Sequence, residues 1–485
     1  MRLIDLIAGD KTQVTLTANI GELDITGLTA DSRAVRPGFL FAALPGSTVD
    51  GRDYICAAIE SGAAAILAPN GTDVSDRAII IRAADTRATL AHMAAAFYGE
   101  QPDIINAVTG TNGKTSVAHF TRQLWSRLGN SAVSIGTLGL QMMDGSTKPT
   151  LTTPDPITLH ADLARLCRQG VTHAVLEASS HGLDQRRIDG VHLTAAAFTN
   201  FTRDHLEYHG TVENYLAAKA RLFGELLPRD GVAVLNADAP EFGLLSELFR
   251  GRTLTYGRTA SDIVLHDATP TLLGTSAKLS VMGRDLDLKL PFAGVFQTNN
   301  VLCAAGLVIG SGADRDAVVA CLDTLEAVPG RVQLAGKVSG GSVYIDYAHT
   351  PDALTQVLAA LRPHAAGRLI LVIGCGGDRD RGKRPIMGNI SARLADVTIV
   401  TDDNPRSEDA SQIRSEILAA APDAREIGNR SDAIQAAIAE ISGGDIVVIA
   451  GKGHETGQIF DDETLPFDDL LIARTAIDAA GGNLS

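Results

Sequence analysis

The segment Gly110-Thr-Asn-Gly-Lys-Thr-Ser116 carries the most direct chemistry in this 485-residue chain. It follows the apolar run Ile104-Ile-Asn-Ala-Val108, which predicts a buried strand. It precedes a stretch from Lys114 to Leu128 whose apolar residues recur three and four apart, as in a helix. A glycine-rich turn at such a junction can surround phosphate oxygens with the backbone N–H groups of Gly110, Thr111, Asn112, Gly113 and Lys114. The helix N-terminus adds the positive end of its dipole. Lys114 offers a point charge to the β- and γ-phosphates, Thr115 a hydroxyl to Mg²⁺, and Ser116 a second hydroxyl. The longer phosphate-loop pattern GxxxxGK[ST] has a glycine where Val108 stands. The alternative reading is a glycine-rich turn that merely opens a helix.

Other groups could join this chemistry. Glu177 ends a strand-like run in Val175-Leu-Glu-Ala-Ser-Ser-His181, where a carboxylate can hold Mg²⁺; it can equally be a partly exposed acid. His205, in Asn200-Phe-Thr-Arg-Asp-His-Leu-Glu-Tyr-His209, can ligate a metal or accept a proton. Lys219 lies on a helical stretch, where the neutral reading is a snorkelling surface lysine. Arg331, after Val328-Pro-Gly330, can stabilise charge on a transferring phosphate. Asp346, in Ile345-Asp-Tyr-Ala-His-Thr-Pro351, can accept from ribose hydroxyls or cap the next helix. Three loops, Gly376-Gly-Asp-Arg379, Asp403-Asn-Pro-Arg406 and Gly451-Lys-Gly-His-Glu455, each follow a strand-like run, so they can meet at the carboxyl edge of one sheet. Arg379 and Arg406 suit carboxylates and Glu455 suits an ammonium, which together describe a site for a zwitterionic amino acid.

The elements that position these groups fall into three segments, at residues 1–101, 102–330 and 331–485. The first closes with an Ala-rich helical stretch, Thr89 to Tyr98, followed by Gly99 and Pro102 as breakers. In the last, strand-like runs (343–345, 369–373, 397–400, 446–449) alternate with helical ones (353–361, 385–394), the signature of βαβ units on a parallel sheet. Aromatic residues make up 4% of the chain and the net charge is −15, which disfavours both stacking platforms and duplex binding; no nucleic-acid partner is expected. Five cysteines without a CxxC pair fit a reducing compartment. No apolar run approaches a membrane span, and the opening stretch, broken by Asp5 and Asp10, does not read as a secretory leader. A cytoplasmic monomer is expected.

The short form Thr109-Gly-Thr-Asn-Gly-Lys-Thr115 resembles the loop of the Mur ligases of peptidoglycan synthesis and of their relatives, the folylpolyglutamate synthetases. The resemblance implies three α/β domains: a small N-terminal UDP-binding domain, a central P-loop-type ATPase domain with a mainly parallel sheet, and a C-terminal Rossmann-like domain. ATP and Mg²⁺ are the implied cofactors. Glu177 and His205 would serve Mg²⁺, and Lys219, in an Ala-Lys-x-x-Leu-Phe pattern, would be carbamylated and ligate it too. Thr152, Thr153, Ser179, Gln185 and Arg187 match positions that contact a muramyl-peptide, with Leu151 standing where relatives place Asn. Asn300 would lie near the adenine, with Gln297 replacing a usual Asn, and Arg331 and Asp346 would complete the nucleotide site. Ser32, Thr48, Val49 and Asp50 resemble the uridine-diphosphate contacts of a leading domain that folylpolyglutamate synthetases lack.

Asp403-Asn404-Pro405-Arg406, with Gly451 and Glu455, resembles the members that add meso-diaminopimelate, whose distal carboxylate Arg406 would bind and lysine lacks. The implied activity joins meso-diaminopimelate to UDP-N-acetylmuramoyl-L-alanyl-D-glutamate through an acyl phosphate, as an ATP-dependent acid–amino-acid ligase. The rivals are the same ligase adding L-lysine, and a nucleotide-dependent scaffold that ligates nothing.

Overall fold

The computed structural model describes residues 1–8, 14–16, 23–46, 49–72, 79–142, 145, 147–148, 150–271 and 274–484. The chain divides into two compact units. The first comprises Met1–Ala107, Asn130–Ala195 and Ala218–Gly231; the second comprises Val108–Gly129, Ala196–Ala217 and Val232–Ser485.

In the first unit a five-stranded sheet runs in the order Val14–Leu16, Ile79–Ala83, Ala65–Pro69, Phe39–Ala42, Gly27–Thr29. Its pairings are parallel except at the Val14–Leu16 edge. Leu40, Leu67 and Ile81 pack with Leu90 and Met93 of the helix Thr86–Tyr98, and Asp85 caps that helix by accepting from the Ala88 N–H at 3.0 Å. The same unit pairs the strands His173–Glu177 and Ala132–Gly136 in parallel. Asp155 and Pro156 open the helix Pro156–Arg168, the cap and first-turn proline that a helix start favours.

In the second unit, strands Val232–Asn236, Arg252–Gly257 and Ile263–Thr271 are parallel, and the last continues into an antiparallel meander with Gly274–Val281 and Arg284–Leu290. The sheet is therefore mixed here, the antiparallel edge strands being added to the parallel ones that the sequence predicts. Helices Lys114–Arg127 and Val295–Gly310 belong to this unit. A separate seven-stranded sheet follows, in the order Arg425–Glu426, Val397–Val400, Leu369–Ile373, Ile446–Ala450, Gly341–Asp346, Gln333–Val338, Asn483–Leu484. Its first five strands are mutually parallel, and Gln333–Val338 is antiparallel to both of its neighbours. Leu369–Ile373 and Ile446–Ala450 are buried at every residue, as strands covered on both faces require. Two apolar clusters, one around Leu371 and Val448 and the other around Val372 and Ile449, fill the two faces. Among the described residues, no helix is long and apolar enough to cross a membrane.

Candidate functional site

The glycine-rich loop sits at the start of the helix Lys114–Arg127, whose N-cap is Gly113 at φ 89° with no side-chain cap. A Cβ at Gly113 would come within 2.5 Å of Asn300 Oδ1, so only glycine permits this approach. The Lys114 ammonium folds over its own loop and donates to the carbonyls of Gly110 and Thr111, each at 2.9 Å. Asn200 holds the loop from a neighbouring segment. Its carbonyl accepts from Thr111 N–H at 2.8 Å, its Oδ1 from Asn112 N–H at 3.0 Å, and its Nδ2 donates to the Asn112 carbonyl at 3.1 Å. Two amides expected to face phosphate, those of Thr111 and Asn112, thus already have partners. The Thr111 hydroxyl is buried too, between Tyr215 at 3.1 Å and the backbone of Thr202.

A cleft of about 350 Å³ opens beside this loop, a size suited to a small ligand. Ser116, Asn300, Arg331, Asp346 and Tyr347 are among the residues that line it. Arg331 donates to the Thr115 hydroxyl at 3.1 Å, and its guanidinium carbon lies 4.4 Å above the centre of the Tyr347 ring. Asp346 is buried at the end of its strand and accepts from the N–H groups of Val332 and Ala348, both at 2.7 Å. Burial pushes its pKa up to about 6, against the opposing pull of Arg331 and those two N–H groups. The cap of the helix Pro351–Leu361 is Thr350, so Asp346 is no helix cap. Gln297 accepts from Asn300 Nδ2 at 2.8 Å, so the two amides form a fixed pair.

His205 stands at φ 52°, with Nε2 3.4 Å from Asp204 and Nδ1 3.5 Å from Glu207. Burial raises the Asp204 pKa, but His205, His349 and Lys383 outweigh it and the net shift is downward.

Within the first unit, Glu177 is buried at the end of its strand. Its Oε1 accepts from Thr137 N–H at 2.8 Å and its Oε2 from the Thr137 hydroxyl at 3.0 Å. The residues matched to a muramyl-peptide gather around it. The Thr152 and Thr137 hydroxyls are 3.3 Å apart, and Thr153 donates to the Glu177 carbonyl at 2.7 Å and contacts the Ser179 hydroxyl at 2.9 Å. Arg187 donates to the Thr153 carbonyl and to Gln185 Oε1, both at 2.8 Å. Leu151, Gln185 and Arg187 also line a pocket of about 460 Å³ with Thr29, Asp31 and Arg87. Lys219 is 1% exposed on the helix Val212–Arg221, which rules out the snorkelling surface lysine. In the leading segment, Ser32 opens a short 3₁₀ turn and Val49 is exposed. Asp50 caps a second turn and pairs with Arg52, whose hydrogen bonds hold its carboxyl down at about 2. Thr48 lies outside the described residues.

The parallel strands of the seven-stranded sheet bring the three late loops to one edge. The Gly377 N–H donates to the Asn404 carbonyl at 2.9 Å, and Arg406 Nη1 to the Gly377 carbonyl at 2.8 Å. Asn404 Nδ2 donates to Glu455 Oε2 at 2.9 Å. Arg406 adopts φ 53°; burial and the nearby Arg379 lower its pKa, while Asp403, Glu455 and Asp378 oppose that shift. Arg379 itself donates to the Asp378 carbonyl at 2.9 Å. Gly451, at φ 115°, leaves room for Asp403, whose Oδ2 would lie 2.6 Å from a Cβ there. Pro405 lies between Asn404 and Arg406, and its carbonyl accepts from the Glu408 N–H at 3.1 Å.

A sequence profile of the Mur ligase middle domain matches residues 108–308, one of the Mur ligase, glutamate ligase domain matches 330–453, and one of the Mur ligase family, catalytic domain matches 24–98. The UDP-N-acetylmuramoyl-L-alanyl-D-glutamate–2,6-diaminopimelate ligase of Caulobacter vibrioides is 53% identical over 464 residues, covering 94% of this chain and 96% of that protein. The chain belongs to the Mur ligase family. The ligase of the same name from Bradyrhizobium diazoefficiens is 50% identical over 97% of each chain. A solved structure of UDP-N-acetylmuramoyl-L-alanyl-D-glutamate–2,6-diaminopimelate ligase aligns over 99% of each chain, with a TM-score of 0.70 and 34% identity. Mycobacterium tuberculosis folylpolyglutamate synthase complexed with ADP shares the fold, covering 82% of this chain and 95% of its own at 20% identity and a TM-score of 0.63.

This Mur ligase therefore has the three α/β domains that the sequence predicts, with mostly parallel sheets that carry antiparallel strands in the central and C-terminal parts. Tyr347, Asp204, Lys383 and Lys452 escaped the sequence reading. The first two adjoin residues already singled out, and the two lysines look like ordinary surface cations until their burial is known. Among the described residues of this Mur ligase, no group of three or more His, Cys, Asp or Glu is placed to hold a metal. Mg²⁺ needs no such cage, because it keeps waters and takes phosphate oxygens with one or two protein ligands.

Proposed function

We propose that this Mur ligase joins meso-diaminopimelate to the D-glutamyl γ-carboxylate of UDP-N-acetylmuramoyl-L-alanyl-D-glutamate and converts ATP to ADP and phosphate. A carboxylate oxygen attacks the γ-phosphorus, the bond to the β-phosphate oxygen breaks, and ADP leaves. The amine of the incoming amino acid then attacks the acyl carbon, loses a proton, and expels phosphate from a tetrahedral intermediate. The chain contributes positioning and electrostatics. We assign the phosphates to the loop Gly110–Ser116, with Lys114 and Arg331 countering the developing charge, and the nucleoside to Asn300 and Asp346. Ser32, Thr48, Val49 and Asp50 are assigned to the uridine diphosphate, and Thr152, Thr153, Ser179, Gln185 and Arg187 to the peptide end. Thr115, Glu177, His205 and Lys219 as its carbamate are the proposed Mg²⁺ ligands; the ion, when bound, neutralises phosphate charge. Domain boundaries near residues 101 and 330 and a monomeric state are part of the same reading, as is a cytoplasmic location, which the five unpaired cysteines favour.

The observation that carries the choice of amino acid is the cluster of Arg379, Arg406, Asn404 and Glu455 at one sheet edge, with two guanidiniums for carboxylates and one carboxylate for an ammonium. The name shared by relatives about half identical over nearly the whole chain supports it. The test is phosphate release from ATP and the UDP-dipeptide with meso-diaminopimelate or L-lysine, alongside Arg406→Ala. Faster turnover with lysine overturns the reading. Arg406→Ala is expected to raise the KM for diaminopimelate by roughly tenfold to a hundredfold, the loss of one charged hydrogen-bonded contact.

A further inference from the structure

Lys452 follows Gly451 in the loop after Ile446–Ala450, and its side chain is 0% exposed. Its ammonium donates to Asn404 Oδ1 and to Glu455 Oε2, both at 2.9 Å. Asn404 Nδ2 donates to the same Glu455 oxygen at 2.9 Å, which closes a triangle, and the Ile459 N–H fixes Asn404 Oδ1 at 3.0 Å. Glu455 therefore keeps one oxygen inside this triangle and turns the other, Oε1, toward the Tyr347 hydroxyl at 3.4 Å.

Arg379, Asp378, Asp403 and Glu455 lie within electrostatic reach of Arg406, and Lys452 is bonded to Glu455. Three cations thus stand with three carboxylates. Beneath them Arg430 is paired with Asp469, both fully buried, and adds no net charge. A balanced pocket suits an amino acid with two amines and two carboxylates. An amino acid without the second carboxylate carries net positive charge and is disfavoured. Without Lys452, the Glu455 charge would be uncompensated and the pocket would gain attraction for a cation.

We propose that Lys452 is a positioning residue that determines amino-acid specificity: by fixing Glu455 and Asn404 and neutralising one carboxylate, it admits a diamino dicarboxylic acid and disfavours a cationic amino acid. The inference rests on the amino-acid site assigned above. Its test compares kcat/KM for meso-diaminopimelate and L-lysine in the full-length enzyme and in Lys452→Gln, by phosphate release. The ratio of diaminopimelate to lysine is expected to fall at least about tenfold, with the KM for ATP changed by less than about twofold. Equal losses for both amino acids would show a structural role alone and overturn the proposal. Should Lys452→Gln not fold, Glu455→Gln leaves the lysine charge uncompensated and must move the ratio the other way; an unchanged ratio there also overturns it. A parent enzyme that does not use diaminopimelate would instead defeat the functional reading, and the parent assay separates the two failures.

Discussion

Arg331 and Thr115, 216 residues apart in sequence, are joined by a hydrogen bond of 3.1 Å from the guanidinium to the hydroxyl. The bond ties the first turn of the phosphate-loop helix to the start of the third segment. The Tyr347 ring beneath the guanidinium holds it in place. Under the proposed assignment, Arg331 is thus preorganised where phosphate charge would develop.

Replacing Arg331 with Ala should lower kcat by roughly a hundredfold or more, the usual effect of losing a preorganised charge donor. Steady-state phosphate release measures it. A variant that retains full kcat would remove Arg331 from the reaction.

Lys219 gives a second prediction. Lys219 is 1% exposed, and carbamylation would turn it into an anion with ligating oxygens. Lys219→Ala should abolish product formation while the protein still folds, and a short carboxylic acid should restore part of the activity. Intact-protein mass under bicarbonate, in parent and variant, checks the modification directly. Full activity in the variant would refute it.

Gly136 leaves no room for a side chain, since a Cβ there would lie 2.1 Å from Glu177 Oε1. Gly136→Ala must displace that carboxylate or the strand that carries it. A loss of about 1–3 kcal/mol is expected from overpacking, read as a lower urea midpoint with unchanged slope. Activity should fall further than stability, because the displaced group is the proposed Mg²⁺ ligand.

Acid sensitivity should trace in part to His160. The ring is 1% exposed, its Nε2 is 3.0 Å from the Asp189 carbonyl and so donates to it, and its Nδ1 has no hydrogen-bond partner among the described residues. Burial lowers its pKa to about 4 from the ordinary 6.5. The folded state therefore binds fewer protons than the unfolded one between these values. The contribution is fully present above pH 6.5 and is lost as pH falls toward 4, on the order of 3 kcal/mol in all. Urea unfolding from pH 7 to pH 4 should show a shallower decline in His160→Gln than in the parent; parallel declines would exclude His160 as a source.

Much of the scaffold was legible because its signals are local. The unbroken run Leu369-Ile-Leu-Val-Ile373 is a buried strand, and the three-and-four spacing that begins at Lys114 is a helix. The convergence of the Arg379, Arg406 and Glu455 loops also followed from local signals, since parallel strands must deliver their carboxyl ends to one edge. What the sequence concealed depends on partners distant in the chain. Nothing local marks Lys219 or Lys452 as buried, whereas the meander's alternation, clearest in Arg284-Asp-Leu-Asp-Leu-Lys-Leu290, is a local strand signal that the segment boundaries alone did not use. The inward turn of Thr111 depends on Tyr215 and Thr202, which lie outside its motif.

The grip of Asn200 on the phosphate loop bears on protein engineering. Both amides it receives, and the carbonyl it caps, belong to Thr111 and Asn112. A loop transplanted into another scaffold by its own residues alone would arrive without the asparagine that shapes it. The Thr199 hydroxyl donates to the same Asn112 carbonyl at 2.6 Å, so a functional graft must carry the Thr199-Asn200 segment along with the glycines.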